Sequence, residues 1–89
     1  MKKNLDIIKA WDKGQEARNE NLSTDGDRLY SYRLCIGRSD EEGNKIIFDY
    51  TSGGGSFASQ TTSTHVGLAK RNTEAEIMRP HVADIAGLI

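Results

Sequence analysis

Apolar side chains at Leu5, Ile7, Ile8, Ala10 and Trp11 recur at three- and four-residue intervals, with Lys9 among them and Lys3 and Lys13 on either side. This spacing predicts an amphipathic helix that Gly14 can end, with Trp11 packed inward and its indole N–H at the margin. Residues 15–22 are polar and ambiguous, with a short strand around Ala17 to Asn19. Ser23-Thr24-Asp25-Gly26-Asp27 predicts a turn, because Ser and Asp side chains bond to nearby backbone and glycine accepts positive φ. From Leu29 to Ile36 the period is two: Tyr30, Tyr32, Leu34 and Ile36 alternate with Leu29, Ser31, Arg33 and Cys35, predicting one continuous strand. After the polar turn from Ser39 to Asn44, a second strand from Lys45 to Tyr50 completes an antiparallel hairpin. Gly53, Gly54 and Gly55 break the pairing, and Phe57-Ala58-Ser59-Gln60-Thr61 reads as a third strand.

Thr62, Ser63 and Thr64 are N-cap candidates for a helix reaching about Asn72. Thr73 and Glu76 have capping-box spacing, Pro80 should stop or kink what precedes it, and Val82, Ile85, Leu88 and Ile89 predict a last short helical turn docked on the core. The expected fold is a single α+β domain over 1–89. It has an N-terminal helix, a three-stranded antiparallel sheet (four-stranded if 17–19 joins it), and a C-terminal helix or broken helix pair.

Composition narrows the function classes. A chain of 89 residues with 36% hydrophobic content supports one core. A net charge of −1 supplies no long-range field for nucleic acid or anionic lipid, and a DNA mimic would be far more acidic. Cys35 is the only cysteine and so cannot form an internal disulfide. It is expected to act as a small buried hydrophobe in a reducing cytoplasm. Lys2-Lys3-Asn4-Leu5-Asp6 does not open a signal peptide, and there is no run of about 20 apolar residues for a membrane span. A soluble, intracellular protein is expected.

Candidate chemistry is sparse. His65 and His81 lack the close Cys, Asp or Glu spacing of a zinc site, and Asp25-Gly26-Asp27 lacks the remaining ligands of a calcium loop. No metal or cofactor is expected. Gly53-Gly54-Gly55-Ser56 lacks the Lys-Ser/Thr ending of a phosphate loop. An enzyme would need Ser63 or Cys35 to converge with His65 and an acid. The helix start is the best ligand site: free N–H groups, the hydroxyls of Thr62, Ser63 and Thr64, the His65 imidazole, and Lys70 and Arg71 farther along could surround a phosphate. Against this, one hydroxyl suffices to cap the helix and the others can face solvent. Tyr30, Tyr32, Phe48, Tyr50 and Phe57 invite comparison with sheets that stack single-stranded bases, but helices at both ends must cover a surface, which assigns most of these rings to the core.

The motifs Leu22-Ser23-Thr24-Asp25-Gly26, Leu29-Tyr30-Ser31-Tyr32, Ile36-Gly37 and Thr61-Thr62-Ser63-Thr64-His65-Val66, in this order, resemble a family of small uncharacterised proteins encoded by bacteriophages and prophages. The resemblance spans about two-thirds of the chain, from near Trp11 to near Arg71. The Leu-Tyr-Ser-Tyr strand and the Thr-Ser-x-His helix entrance carry it; Asp40-Glu41-Glu42 and the end beyond Asn72 have no counterpart. It implies an α+β protein of the bacterial host cytoplasm, of anti-defence or anti-CRISPR type, and transfers no catalytic residue.

The first expectation is therefore a non-enzymatic accessory protein. It would bind a host protein, such as a component of a nucleoprotein defence complex like a CRISPR effector, and inhibit it stoichiometrically through a patch of roughly 800 Å². Tyr30, Tyr32, Arg33, Arg38, Asp40, Glu41 and Glu42 are the expected partner-binding residues, the acids entering a basic nucleic-acid channel. A phosphate-bearing ligand or nucleic-acid module at 62–65 is the alternative, direct nucleic-acid binding being less favoured.

Overall fold

In the computed structural model, which describes residues 2–51 and 58–89, the chain begins with helix α1, Asn4–Asp12. The Asp6 carboxylate accepts the Lys3 backbone N–H at 3.0 Å, satisfying one free donor of the first turn. Ile7, Ile8 and Trp11 are buried, as the spacing predicts, and the helix gives way at Gly14, whose φ is +73°. Five strands follow: β1 Glu16–Arg18, β2 Leu22–Asp25, β3 Leu29–Ser31, β4 Leu34–Ser39 and β5 Lys45–Phe48. Helix α2 (Gln60–Asn72), strand β6 (Glu76–Met78) and helix α3 (Pro80–Ile85) complete the chain.

The sheet has six strands in sequential order; β1 to β5 form an antiparallel meander and β6 lies parallel to β5. The expected α+β class holds, while the three- or four-stranded antiparallel sheet is corrected to a six-stranded mixed one. α1 and α2 cover one face, enclosing Ala17, Leu22, Leu29, Ile36 and Ile47 with Val66 and Ala69. On the other face Ile46 and Phe48 pack against Ala83 of α3, with Cys35, Tyr50, Met78 and Leu88 around them. Among the described residues no helix is long and apolar enough to cross a membrane.

Trp11 joins the helical layer to the sheet. It is fully buried, its indole N–H donates to the Asp27 carbonyl at 2.9 Å, and the Lys45 ammonium lies 5.3 Å from a ring centroid. The same ammonium donates to the Gly26 carbonyl and the Ser39 hydroxyl, at 3.0 and 2.7 Å. Gly37 runs beneath the indole: a Cβ there would lie 2.9 Å from Trp11 Cζ2 and 3.0 Å from the Ile46 carbonyl oxygen. Gly37 is thus selected by close approach.

The continuous strand read from Leu29 to Ile36 is broken at Tyr32, whose φ is +56°. A two-residue turn, Tyr32-Arg33, folds β4 back onto β3, with Ser31 opposite Leu34. The alternation is then interrupted by a bulge: Leu29 faces Gly37 while Tyr30 faces Cys35, so Ile36 is the extra residue and is retained in the core. The turn expected over Ser23–Asp27 is shorter, because β2 runs to Asp25, whose carboxylate accepts the N–H groups of Asp27 and Arg28. The third strand expected at Phe57–Thr61 is not formed where it is described: Ala58 and Ser59 are irregular and Gln60 and Thr61 are helical, while Phe57 and the glycine triplet lie outside the described residues.

Ser59 is the N-cap of α2, accepting the Thr62 N–H at 3.1 Å, so the helix begins before the three hydroxyl residues assigned to capping it. Thr73 is extended, and the Thr73/Glu76 spacing restarts no helix because Ile77 pairs alongside Ile47. Pro80 opens α3, where its missing N–H costs nothing. α3 docks through Pro80 and Ala83, and Leu88 packs beside them as expected; Val82, Ile85 and Ile89, also expected on the core, are exposed.

Candidate functional site

The residues expected to form an anion pocket at the helix start are divided between the core and the surface. Thr62 and His65 lie on the sheet-facing side of α2 and are 4% and 2% exposed. There the Ser31 hydroxyl meets His65 Nδ1 at 2.7 Å and the Thr62 hydroxyl at 3.1 Å. Ser31 itself is buried in β3, so this three-member cluster stitches sheet to helix. Burial pushes the His65 imidazole below its ordinary pKa. The Thr64 hydroxyl donates back to the Gln60 carbonyl, and Lys70 pairs with Asp49 at 3.1 Å. Burial raises the Asp49 carboxyl, but hydrogen bonds from Thr51 and Lys70 outweigh it and hold the pKa below the usual range. Ser63 is half-buried and Arg71 exposed.

The serine–histidine pair that does form uses Ser31, which the spacing arguments passed over in favour of Ser63. No described hydrogen bond brings a carboxylate to His65, and Ser31 is closed to a substrate. Cys35 lies on the opposite face of the sheet, its thiol donating to the Gly37 carbonyl and its pKa raised by burial. Among the described residues no group of three or more His, Cys, Asp or Glu side chains could hold a metal ion.

The seven residues expected to bind a partner fall into three places. Tyr32 and Arg33 are exposed at the β3–β4 turn, where the Tyr32 ring leans on His65 with centroids 6.1 Å apart. Tyr30 lines a hollow of about 430 Å³ on the open face of β1–β3, with Lys2, Glu16, Arg18 and Asp25. Arg38, Asp40, Glu41 and Glu42 border a groove of about 560 Å³ whose other wall is Ala86, Gly87 and Leu88 beyond α3. A strand of this length separates the Tyr32 turn from the acidic turn by about 20 Å, so they do not make one small patch.

In the acidic turn Asp40 works internally. Its carboxylate accepts the N–H groups of Asn44 and Glu42, both at 2.9 Å, and the Asn44 side chain, and these bonds, led by the Asn44 backbone, lower its pKa. Glu41 and Glu42 are left exposed. Arg38 is occupied as well, donating to the Leu88 and Ser39 carbonyls. On α3 and just beyond it Val82, Ile85 and Ile89 are 49%, 75% and 53% exposed, three of the five large apolar side chains on the described surface. The three-residue spacing of Val82 and Ile85 was legible in the sequence, but its direction was not, because a short helix between a proline-marked start and a glycine-marked end can present either side.

Comparisons with protein-family models, curated proteins and solved structures return no match to this chain.

Proposed function

We propose that this chain is a small phage-type accessory protein that binds a host protein, a defence component such as a CRISPR effector, and inhibits it by occupying one of its surfaces. The observation that carries the binding part is the exposure of Val82 and Ile85 on α3, a helix anchored from beneath by Pro80 and Ala83, and of Ile89 beyond it. These side chains have no role in the chain's own core, and exposed aliphatic side chains gathered in one terminal segment are candidates for an interaction surface. The fixed backbone under it limits the ordering cost of association. The phage and anti-defence assignment rests on the sequence resemblance.

The test is affinity capture from a bacterial lysate with the tagged full chain, quantified by mass spectrometry, in parallel with an Ile85→Glu variant. One host protein retained near equimolar ratio by the wild type and lost by the variant is the expected result. Equal recoveries on the two baits would reject the surface, and recovery of nothing would reject the function.

A further inference from the structure

We infer that two copies of this chain pair edge to edge through β6, antiparallel about a two-fold axis at Ile77, so that their sheets join into one. This pairing is independent of the host-protein binding proposed for α3. Among the described residues β6 pairs with β5 alone, which leaves it at the margin of the sheet. The Asp49 N–H donates to the Met78 carbonyl at 2.9 Å, and in this parallel register the backbone groups of Glu76 and Met78 turn toward β5. Alternation then turns the N–H and C=O of Ile77 outward, beside a side chain that is 43% exposed. A free donor and a free acceptor on one residue are what an antiparallel neighbour engages. Opposed across the two-fold axis, the two Ile77 residues exchange both bonds, and their β-branched side chains stand side by side.

The same axis keeps like charges from facing each other. It places Met78 of the second copy, and not its Glu76, opposite Glu76, and a net charge of −1 per chain gives little long-range repulsion. The contact is short. Pro80 has no N–H, and the Arg79 carbonyl already accepts from Ala83 at 3.0 Å, so the ladder ends within a few residues of Ile77. At the other margin β1 displays Glu16 and Arg18, both exposed, the kind of charge that guards a sheet edge, and the Asn19 amide holds the Lys2 carbonyl beside it. Pairing of β6 with itself closes a dimer, whereas β6 on β1 would run on into a filament.

Sedimentation equilibrium of the full chain over a concentration series tests this. A contact so small belongs to the weak class, so the mass should climb from one chain toward two, with half the chains paired at about 100 µM or above. Ile77→Lys, which keeps the backbone and adds a charge to the edge, should weaken pairing at least about tenfold with an unchanged circular dichroism spectrum, and Ile85→Glu should leave pairing as it is. Hydrogen exchange on the wild-type chain gives a reading that needs no variant. The Ile77 amide should exchange more slowly as concentration rises, while that of Met78, already turned to β5, changes far less. A monomer at every concentration, a dimer that Ile77→Lys leaves intact or that Ile85→Glu dissolves, or a mass that grows past two chains would each overturn the pairing. An Ile77 amide that slows only with a host protein bound would assign the edge to that protein and overturn it equally.

Discussion

Replacing Gly37 with alanine adds one methyl group where the fold has no room. The new Cβ would stand 2.9 Å from Trp11 Cζ2, 3.1 Å from Cη2 and 3.0 Å from the Ile46 carbonyl oxygen. None of these atoms is the end of a flexible chain. The indole is fully buried and held by its bond to Asp27, and the Ile46 carbonyl belongs to a strand paired on both sides. Either the helix or a strand must move, and overpacking of this kind costs about 1–3 kcal/mol. For a chain of this size each kcal/mol lowers Tm by about 4–8 °C. Thermal unfolding followed by circular dichroism should therefore place Gly37→Ala well below the wild type. The cause is isolated by repeating the substitution on Trp11→Phe, whose smaller ring withdraws from Gly37. The alanine should then cost about 1 kcal/mol less, a coupling typical of residues in contact. A wild-type Tm for Gly37→Ala, or an equal cost in both backgrounds, would refute the packing account.

Ser31→Ala leaves the buried His65 and Thr62 without their common partner and should lower stability by about 1–3 kcal/mol in urea titrations; a loss under about 0.5 kcal/mol would mean the cluster is not structural. Because burial holds the His65 imidazole below its ordinary value of 6.5, the unfolded chain binds a proton first. Stability is then full above about pH 6.5, falls as the pH drops through that value, and levels once the folded imidazole also protonates. Urea midpoints at about pH 7.5 and 5.5 should drop more for the wild type than for His65→Leu, and parallel drops would contradict the assignment. Lys45→Met removes two hydrogen bonds and the charge beside Trp11, and should cost about 2 kcal/mol by the same titration; an unchanged midpoint would show that the ammonium is dispensable.

The parts of this fold legible in the sequence are those where one periodicity runs without interruption. α1 was readable because its apolar stripe meets a glycine, and β5 because the run from Lys45 to Tyr50 is strongly β-forming, although the strand ends two residues earlier, at Phe48. The reading of Leu29–Ile36 as one strand failed for a tertiary reason: Tyr32 adopts a left-handed backbone that a non-glycine residue takes only when its surroundings impose it, here with its N–H bonded to the Asn21 carbonyl and its ring against His65. β6 was not readable either. Its three residues carry no pattern of their own, and it exists because Ile77 and Met78 align with Ile47 and Phe48. At the candidate site, the chemistry of 62–65 looked like a ligand cradle because hydroxyls and an imidazole serve equally well as an internal polar joint. The position of Ser31 across the interface gives Thr62 and His65 the partners of an internal joint. Asn19 gave no signal, yet it accepts the N–H groups of Asn21 and Leu22 and donates to Asn4 and to the Lys2 carbonyl, tying the first hairpin to the start of α1.

The central claim is that the exposed Val82 and Ile85 of α3, with Ile89 beyond it, are presented to another protein, and the stoichiometry of capture tests it most directly. With the full chain as bait, the account predicts one host protein retained near one copy per bait, and no retention on Ile85→Glu with an unchanged circular dichroism spectrum and Tm. Undiminished capture by that variant would contradict it.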